Sequence, residues 1–414
     1  MIKVIDKATK KYCYLLLFAC WFVYIVSIAL KMIYSAQLSV IMQEFSVSNS
    51  QVSLGLTIYY IVYASAQLVI AATIKKINIK AIFSIFTFLS AISFSLIAFI
   101  NQIWQLWIIL GLNGIFQSCI WIGVIYFIGK YFPNEMVGKA TNIMGAGFAF
   151  GSALSYGASA LFTEILSWKA TFVFMSILCA VSMIVFLFVL KKVSKNLPEQ
   201  KTVVSEQPTL KDATNNKTIS TKVFVLIMTC LFISMFFLTA TYYGMSNWIT
   251  VFLNEVFNIS DTYSMLISIL VPISVAFGMI VVCRSCEKHR NYFATNSLWI
   301  LAIAILSIVL CFVYKINIII SLLLNILLLT ISKGCNNIFG IYIQLKMRDK
   351  IDAGKNAGIM NVAASLAASL TPLITGLVLD GFGWDINYIV IAIMGVVAVL
   401  FLIPLIILKN KNKL

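Results

Sequence analysis

Residues 191–221 read KKVSKNLPEQKTVVSEQPTLKDATNNKTIST. This is the one long polar segment of the chain. It carries charge throughout, no aromatic residue, and prolines at 198 and 208. Such a composition buries too little apolar surface to offset the entropy of ordering, so it reads as a flexible linker. On its N-terminal side lie six apolar runs, at about 13–41, 50–74, 80–100, 103–129, 138–163 and 168–190. Six more follow, at about 223–252, 262–282, 293–314, 317–344, 356–379 and 386–408. A helix rises about 1.5 Å per residue and a bilayer core is about 30 Å thick, so each run is long enough to cross. The pattern predicts an all-α polytopic membrane protein of twelve transmembrane helices. Its domains are a six-helix bundle over 1–190, the linker over 191–221 and a second six-helix bundle over 222–414.

Composition agrees. Of 414 residues, 61% are hydrophobic and 11% charged, and the mean hydropathy is +1.00. A soluble domain carries about 25% charged residues, so no water-facing surface can be built here. The nine cysteines are scattered and mostly sit in apolar runs, which makes them small buried hydrophobes and not a disulfide framework. Cys283 and Cys286, with His289 close by, have metal-like spacing but no second pair, so neither metal nor cofactor is expected. That histidine is the only one in the chain, which removes a histidine proton relay. No phosphate-binding loop, nucleophile elbow or zinc-binding helix motif occurs, so an enzyme or an ATP-driven pump is unsupported. The first apolar run follows a basic N-terminus but is too long for a signal-peptide core and lacks a small-residue cleavage pattern, so it is expected to stay.

The net charge of +16 would suggest nucleic acid in a soluble protein. Its placement argues otherwise. With the N-terminus inside, 26 of the 30 Lys and Arg residues fall in cytoplasmic loops and termini, and two, Lys169 and Lys315, fall outside. Lys and Arg concentrate on the cytoplasmic side of membrane proteins. Both termini and the linker are therefore expected in the cytoplasm, with the chain in the cell membrane. The basic loops meet lipid headgroups, and no nucleic-acid partner is implied.

The two sets of six runs repeat. Gly138-Lys139-Ala140-Thr141-Asn142-Ile143-Met144 matches Gly354-Lys355-Asn356-Ala357-Gly358-Ile359-Met360 at an offset of 216. Trp168 matches Trp384 at the same offset, and Glu44 matches Glu255 at 211. Parallel six-helix halves related by an axis along the membrane normal hold substrate near the midplane and work by alternating access.

With these features the chain resembles the major facilitator superfamily over essentially its whole length. Two stretches, Tyr243-Gly244-Met245-Ser246-Asn247-Trp248 and Asp380-Gly381-Phe382-Gly383-Trp384-Asp385, resemble the organophosphate:phosphate antiporter branch. The resemblance implies a monomeric transporter whose spans one, four, seven and ten line the central cavity. It also has departures. Residues 71–80 read AATIKKINIK, without the glycine and acid usual in the family's loop after span two. Lys31 lies at or within a residue of the branch's first phosphate-binding arginine, Tyr242 replaces the second, and Gly147 falls on or near its histidine. A phosphate ester held by two arginines is therefore not implied.

Two basic residues remain inside spans, Lys31 in the first and Lys333 in the tenth, and none of the 14 acids falls mid-span. A charge at the bilayer centre costs ~3 kcal/mol or more, and it is tolerated facing water or an anion. Competing readings are that Lys31 snorkels to the interface and that Lys333 is a structural, carbonyl-bonded or deprotonated lysine. Helical spacing supplies neighbours. Tyr34 and Gln37 follow Lys31, and Asn336 and Asn337 follow Lys333. Tyr59 and Tyr63 are one turn apart on span two; Asn113, Gln117 and Trp121 form a stripe on span four; Tyr242 and Ser246 are one turn apart on span seven. These amides and phenols suit a carboxylate, phosphate or sugar hydroxyl, and equally interhelical hydrogen bonds. The reading is a secondary or exchange transporter of a small organic anion, with Lys31 and Lys333 as its charge complement. Efflux of drugs or amphiphiles by the same fold is the alternative, and a transport-dead ligand sensor a third.

Overall fold

The computed structural model describes residues 6–73, 76–197, 221–289, 291–343 and 353–411. Most of the 191–221 linker lies outside the described residues. Every element is helical: α1 (Lys7–Ala36), α2 (Leu38–Phe45), α3 (Asn49–Thr73), α4 (Ile79–Ser95), α5 (Ile103–Gln117), α6 (Ile120–Tyr131), α7 (Asn134–Ile165) and α8 (Trp168–Asn196). Then come α9 (Thr221–Ser246), α10 (Ile249–Phe257), α11 (Asp261–Ser268), α12 (Leu270–Lys288), α13 (Tyr292–Val313), α14 (Ile318–Asn337) and α15 (Ala353–Asn410). Side-chain caps start several of them. Asn78, Ser167, Asn291 and Asn317 each accept a hydrogen bond from a first-turn amide of the helix that follows.

Among the described residues, ten helical stretches are long and apolar enough to cross a membrane. The twelve expected spans map onto them with two adjustments. Spans eleven and twelve merge into one stretch of 53 residues, bent where Gly383 takes φ 79°. Span five is α7, whose 32 residues are long enough but rich in Gly, Ala and Ser. Other spans are broken rather than continuous. Span one gives way to α2 at Gln37, span four divides into α5 and α6 at Ser118–Cys119, and span eight divides at Ile269, ahead of Pro272. Span ten ends in a π-helical turn, Ile338–Tyr342. Phe99, Phe188 and Phe312 are each more than 70% exposed, as a lipid-facing surface requires.

The residues group into two compact units. The first joins the chain up to Gln37 with Val62 onward through α8. Its core holds Cys13, Leu16, Val23, Val124, Met144 and Met183 around Phe83, Phe127 and Phe186, whose ring centroids are 5.0–5.6 Å apart in edge-on pairs. Helix α1 packs on α7 and α8. A Cβ at Gly151 would stand 2.6 Å from the Ile25 carbonyl oxygen, so this glycine is what lets α7 reach α1.

The second unit joins Leu38–Ile61 with α9 through α15. Helix α9 packs on α15, α13 on α15, and α12 on α14. The α12–α14 crossing is tight at Gly278, where a Cβ would overlap the Thr330 carbonyl oxygen. At one end Phe252 meets the rings of Trp384, Tyr388 and Tyr314 at 5.0–6.2 Å.

Candidate functional site

In the first unit, one face of α1 carries Tyr24, Ser27 and Lys31 at i, i+3 and i+7. The Lys31 ammonium stands 4.5 Å from the centre of the Tyr63 ring on α3. Ser27 Oγ donates to Gln117 Oε1 at 3.5 Å, and Gln117 Nε2 donates to Ser90 Oγ at 3.4 Å. One turn beyond Gln117, the Trp121 ring lies 5.1 Å from that of Tyr24. The structure thus gathers Lys31, Tyr63, Gln117 and Trp121. It adds Tyr24 and Ser27, which sequence reasoning missed because it followed the helix only C-terminal from Lys31.

The other first-unit residues named from sequence are placed differently. Asn113 is fully buried between α4 and α5: its Oδ1 accepts from Ser90 at 2.7 Å, and its Nδ2 donates to Ser93 at 2.8 Å and to the Ile109 carbonyl at 3.0 Å. Gln37 is bonded to Thr163 and Thr171 at 3.1 and 3.2 Å. Tyr34 is buried.

In the second unit, the Lys333 ammonium on α14 stands 4.8 Å from the centre of the Tyr242 ring on α9. Asn336 Nδ2 donates to Thr239 Oγ1 at 2.7 Å, three residues before Tyr242. A file of rings continues from Tyr242 to Tyr243 at 5.3 Å, to Tyr60 at 5.7 Å and to Tyr59 at 5.3 Å. Ser246 is buried one turn after Tyr242, and Asn337 is half-buried. Thr239, Tyr243 and Tyr60 are additions to the residues named from sequence.

Both ammonium groups rest on tyrosine faces, a contact worth about 0.5–2 kcal/mol. Cys283 Sγ reaches Glu287 at 3.8 Å and His289 Nδ1 lies 2.8 Å from the Ser285 carbonyl. No group of three or more metal-ligating side chains forms among the described residues.

Residues 20–349 match the family model of the Major Facilitator Superfamily, which covers well over half of the chain. The protein belongs to that superfamily. No curated protein sequence matches it. Among solved structures, a bacterial homolog of the human lysosomal transporter Spinster, inward-facing and occupied, is similar at TM-score 0.72 and 14% identity, covering 99% of this chain and 98% of that one. A D-xylose–proton symporter is similar at TM-score 0.74 and 14% identity, covering 95% and 97%. The nucleoside transporter NupG is similar at TM-score 0.73 and 13% identity, covering 94% and 99%. At these identities the likeness speaks to the fold. This member of the superfamily is therefore a multi-pass membrane protein, and both family and neighbours point to transport of a small molecule and not to catalysis.

Proposed function

We propose that this superfamily member transports a small organic anion, a carboxylate or phosphorylated metabolite, by alternating access between its two sequence halves. The observation that carries the reading is the pair of in-span lysines, Lys31 over Tyr63 and Lys333 over Tyr242, in a sequence with no acid mid-span. An ammonium held in a low-dielectric surround is a strong attractor for an anion. Gln117, Trp121, Tyr24 and Asn336 lie within a turn or two and supply donors and flat apolar faces to orient it. The 243–248 and 380–385 stretches support a likeness to the organophosphate:phosphate branch. The branch's paired arginines are absent, so any recognition by Lys31 or Lys333 is by a point charge and not by a planar fork.

The same composition bears on coupling and topology. A proton-driven symporter needs a carboxylate or histidine in its path, and in this sequence the acids and the histidine fall at span ends, in loops or in termini and not mid-span. Exchange against a second anion is the coupling that fits. The distribution of Lys and Arg supports a topology with both termini and the 191–221 linker in the cytoplasm. The test is uptake into proteoliposomes from a panel of labelled carboxylates, sugar phosphates, neutral sugars and cationic drugs, with and without trans anion and proton gradient. Uptake of an anion, stimulated by trans anion and persisting without the gradient, supports the reading. Uptake restricted to cations or neutral sugars refutes it.

A further inference from the structure

Helix α3 is shared. Its first residues, up to Ile61, belong with the second unit, while Val62 onward belongs with the first. The tie that holds its N-terminus is a carboxylate. Asp380 Oδ1 accepts the Asn49 amide N–H at 2.9 Å, and Oδ2 accepts the Ser50 amide N–H at 2.9 Å. These are the first two amides of α3, which have no partner within the helix and sit at its positive end. Both oxygens of one carboxylate are therefore committed to one helix terminus, a charge-assisted pair.

Three further contacts hold the same segment. One turn before Asp380, a Cβ at Gly376 would stand 2.7 Å from the Asn49 carbonyl oxygen and 2.9 Å from Ser50 Cα, so α15 lies directly on the start of α3. Glu255, at the end of α10, bonds the Asn49 side chain and accepts from Trp384 Nε1 at 2.9 Å. Ser39 Oγ, on α2, donates to Asp261. At the other end of α3, the loop over 71–80 carries no acid that could hold that end in the same way.

We infer that Asp380 is the latch of a conformational switch. It holds Leu38–Ile61 on the second unit in the resting state and releases that segment once per transport cycle. The geometry suits a reversible tie. Asp380 is exposed and both of its bonds to the half-buried Asn49 and Ser50 lie in an exposed setting, so water can take over the carboxylate when the bonds open, whereas a buried pair would leave a stranded charge. The inference rests on the alternating-access reading but not on the identity of the substrate.

The test is hydrogen–deuterium exchange on full-length protein in nanodiscs without substrate, comparing wild type with Asp380→Ala and Asp380→Asn. Loss of two charge-assisted bonds should speed exchange over 38–61 by about tenfold or more in Asp380→Ala. Exchange in α9, α13 and α14 should not change. Asp380→Asn keeps an acceptor of the same shape and should fall between, and it serves where the alanine variant does not fold. Faster exchange confined to the first turn of α3 would make Asp380 a helix cap only and overturn the inference, as would unchanged exchange. Because no anion is present, neither result depends on whether the substrate assignment holds.

Discussion

Replacing either in-span lysine should separate affinity from stability. At 4 Å and an effective dielectric near 20, an ammonium attracts a monovalent anion by about 4 kcal/mol. Partial dehydration of both ions takes back part of this, and charge-assisted contacts in proteins net ~1–3 kcal/mol. Lys31→Gln and Lys333→Gln should therefore each weaken binding of the transported anion by about 5- to 150-fold. Stability should move the other way. Lys333 lies in the C-terminal half of α14 with its ammonium 4.8 Å from the centre of the Tyr242 ring. Lys333→Met relieves ~3 kcal/mol of charge burial and forfeits ~0.5–2 kcal/mol of ring contact, a net gain of roughly 1–2.5 kcal/mol. The assays are equilibrium binding of the labelled anion to purified protein in nanodiscs and thermal unfolding of the same preparations. A residue with a purely structural role would lose stability on substitution and leave affinity alone. If both glutamine variants bind and transport the anion as wild type does, the charge argument is wrong.

Three other outcomes are expected. A cysteine placed at Ser205 should react with an impermeant maleimide only after the cells are opened, because 26 of the 28 basic residues outside the spans lie on one side; labelling in intact cells would invert the topology. Gly278→Ala should lower stability by about 1–3 kcal/mol, since its Cβ meets the Thr330 carbonyl and no flexible side chain can yield, while Gly358→Ala, with nothing within 4 Å, should be neutral or slightly stabilising in thermal unfolding. Burial raises the Glu255 carboxyl above its ordinary pKa of 4.5. Below 4.5 it is protonated in both states; above that the unfolded chain ionises first, so its contribution to stability falls as pH rises to the folded-state pKa and is flat beyond. Melting temperatures of wild type and Glu255→Gln measured across that range should differ by this falling step, and parallel curves would refute it.

The spans were legible because crossing a bilayer imposes a minimum apolar length, a requirement each sequence window meets or fails alone. The breaks were not. No glycine or proline stands at the interruption at Ser118–Cys119, where the Ser118 amide and hydroxyl both bond the Ile115 carbonyl. Gly383, with φ 79°, lies in the stretch that carries the family resemblance, and its conformation marks the kink in α15. The site divided along the same line. Lys31 and Lys333 stood out because a charge in a span is costly wherever it points. Asn113 and Gln117, one turn apart on a single stripe, could not be told apart. One has all its bonds among α4 and α5, and the other reaches Ser27 on the helix that carries Lys31. Tyr24 and Ser27 were within reach, since a stripe at i, i+3 and i+7 ending on Lys31 is a pattern of sequence alone.

The repeat also explains why one lysine appears in each unit on non-equivalent helices. At the offset of 211, Lys31 corresponds to Tyr242; at 216, Lys333 corresponds to Gln117. In the second unit Lys333 stands over Tyr242, a contact from span ten to span seven. In the first unit Gln117 bonds Ser27, one turn from Lys31, the corresponding contact from span four to span one. The packing relation is thus repeated while the charge is exchanged: the cation comes from the span-one side in one unit and from the span-ten side in the other. On the anion reading proposed above, in-span cations at non-equivalent positions of the repeat suit an anion without two-fold character. Two equivalent lysines would instead favour a substrate with two-fold character. The order of affinity between a symmetric dicarboxylate and an asymmetric monoanion of similar size is therefore informative about this reading, and preference for the symmetric one would weigh against it.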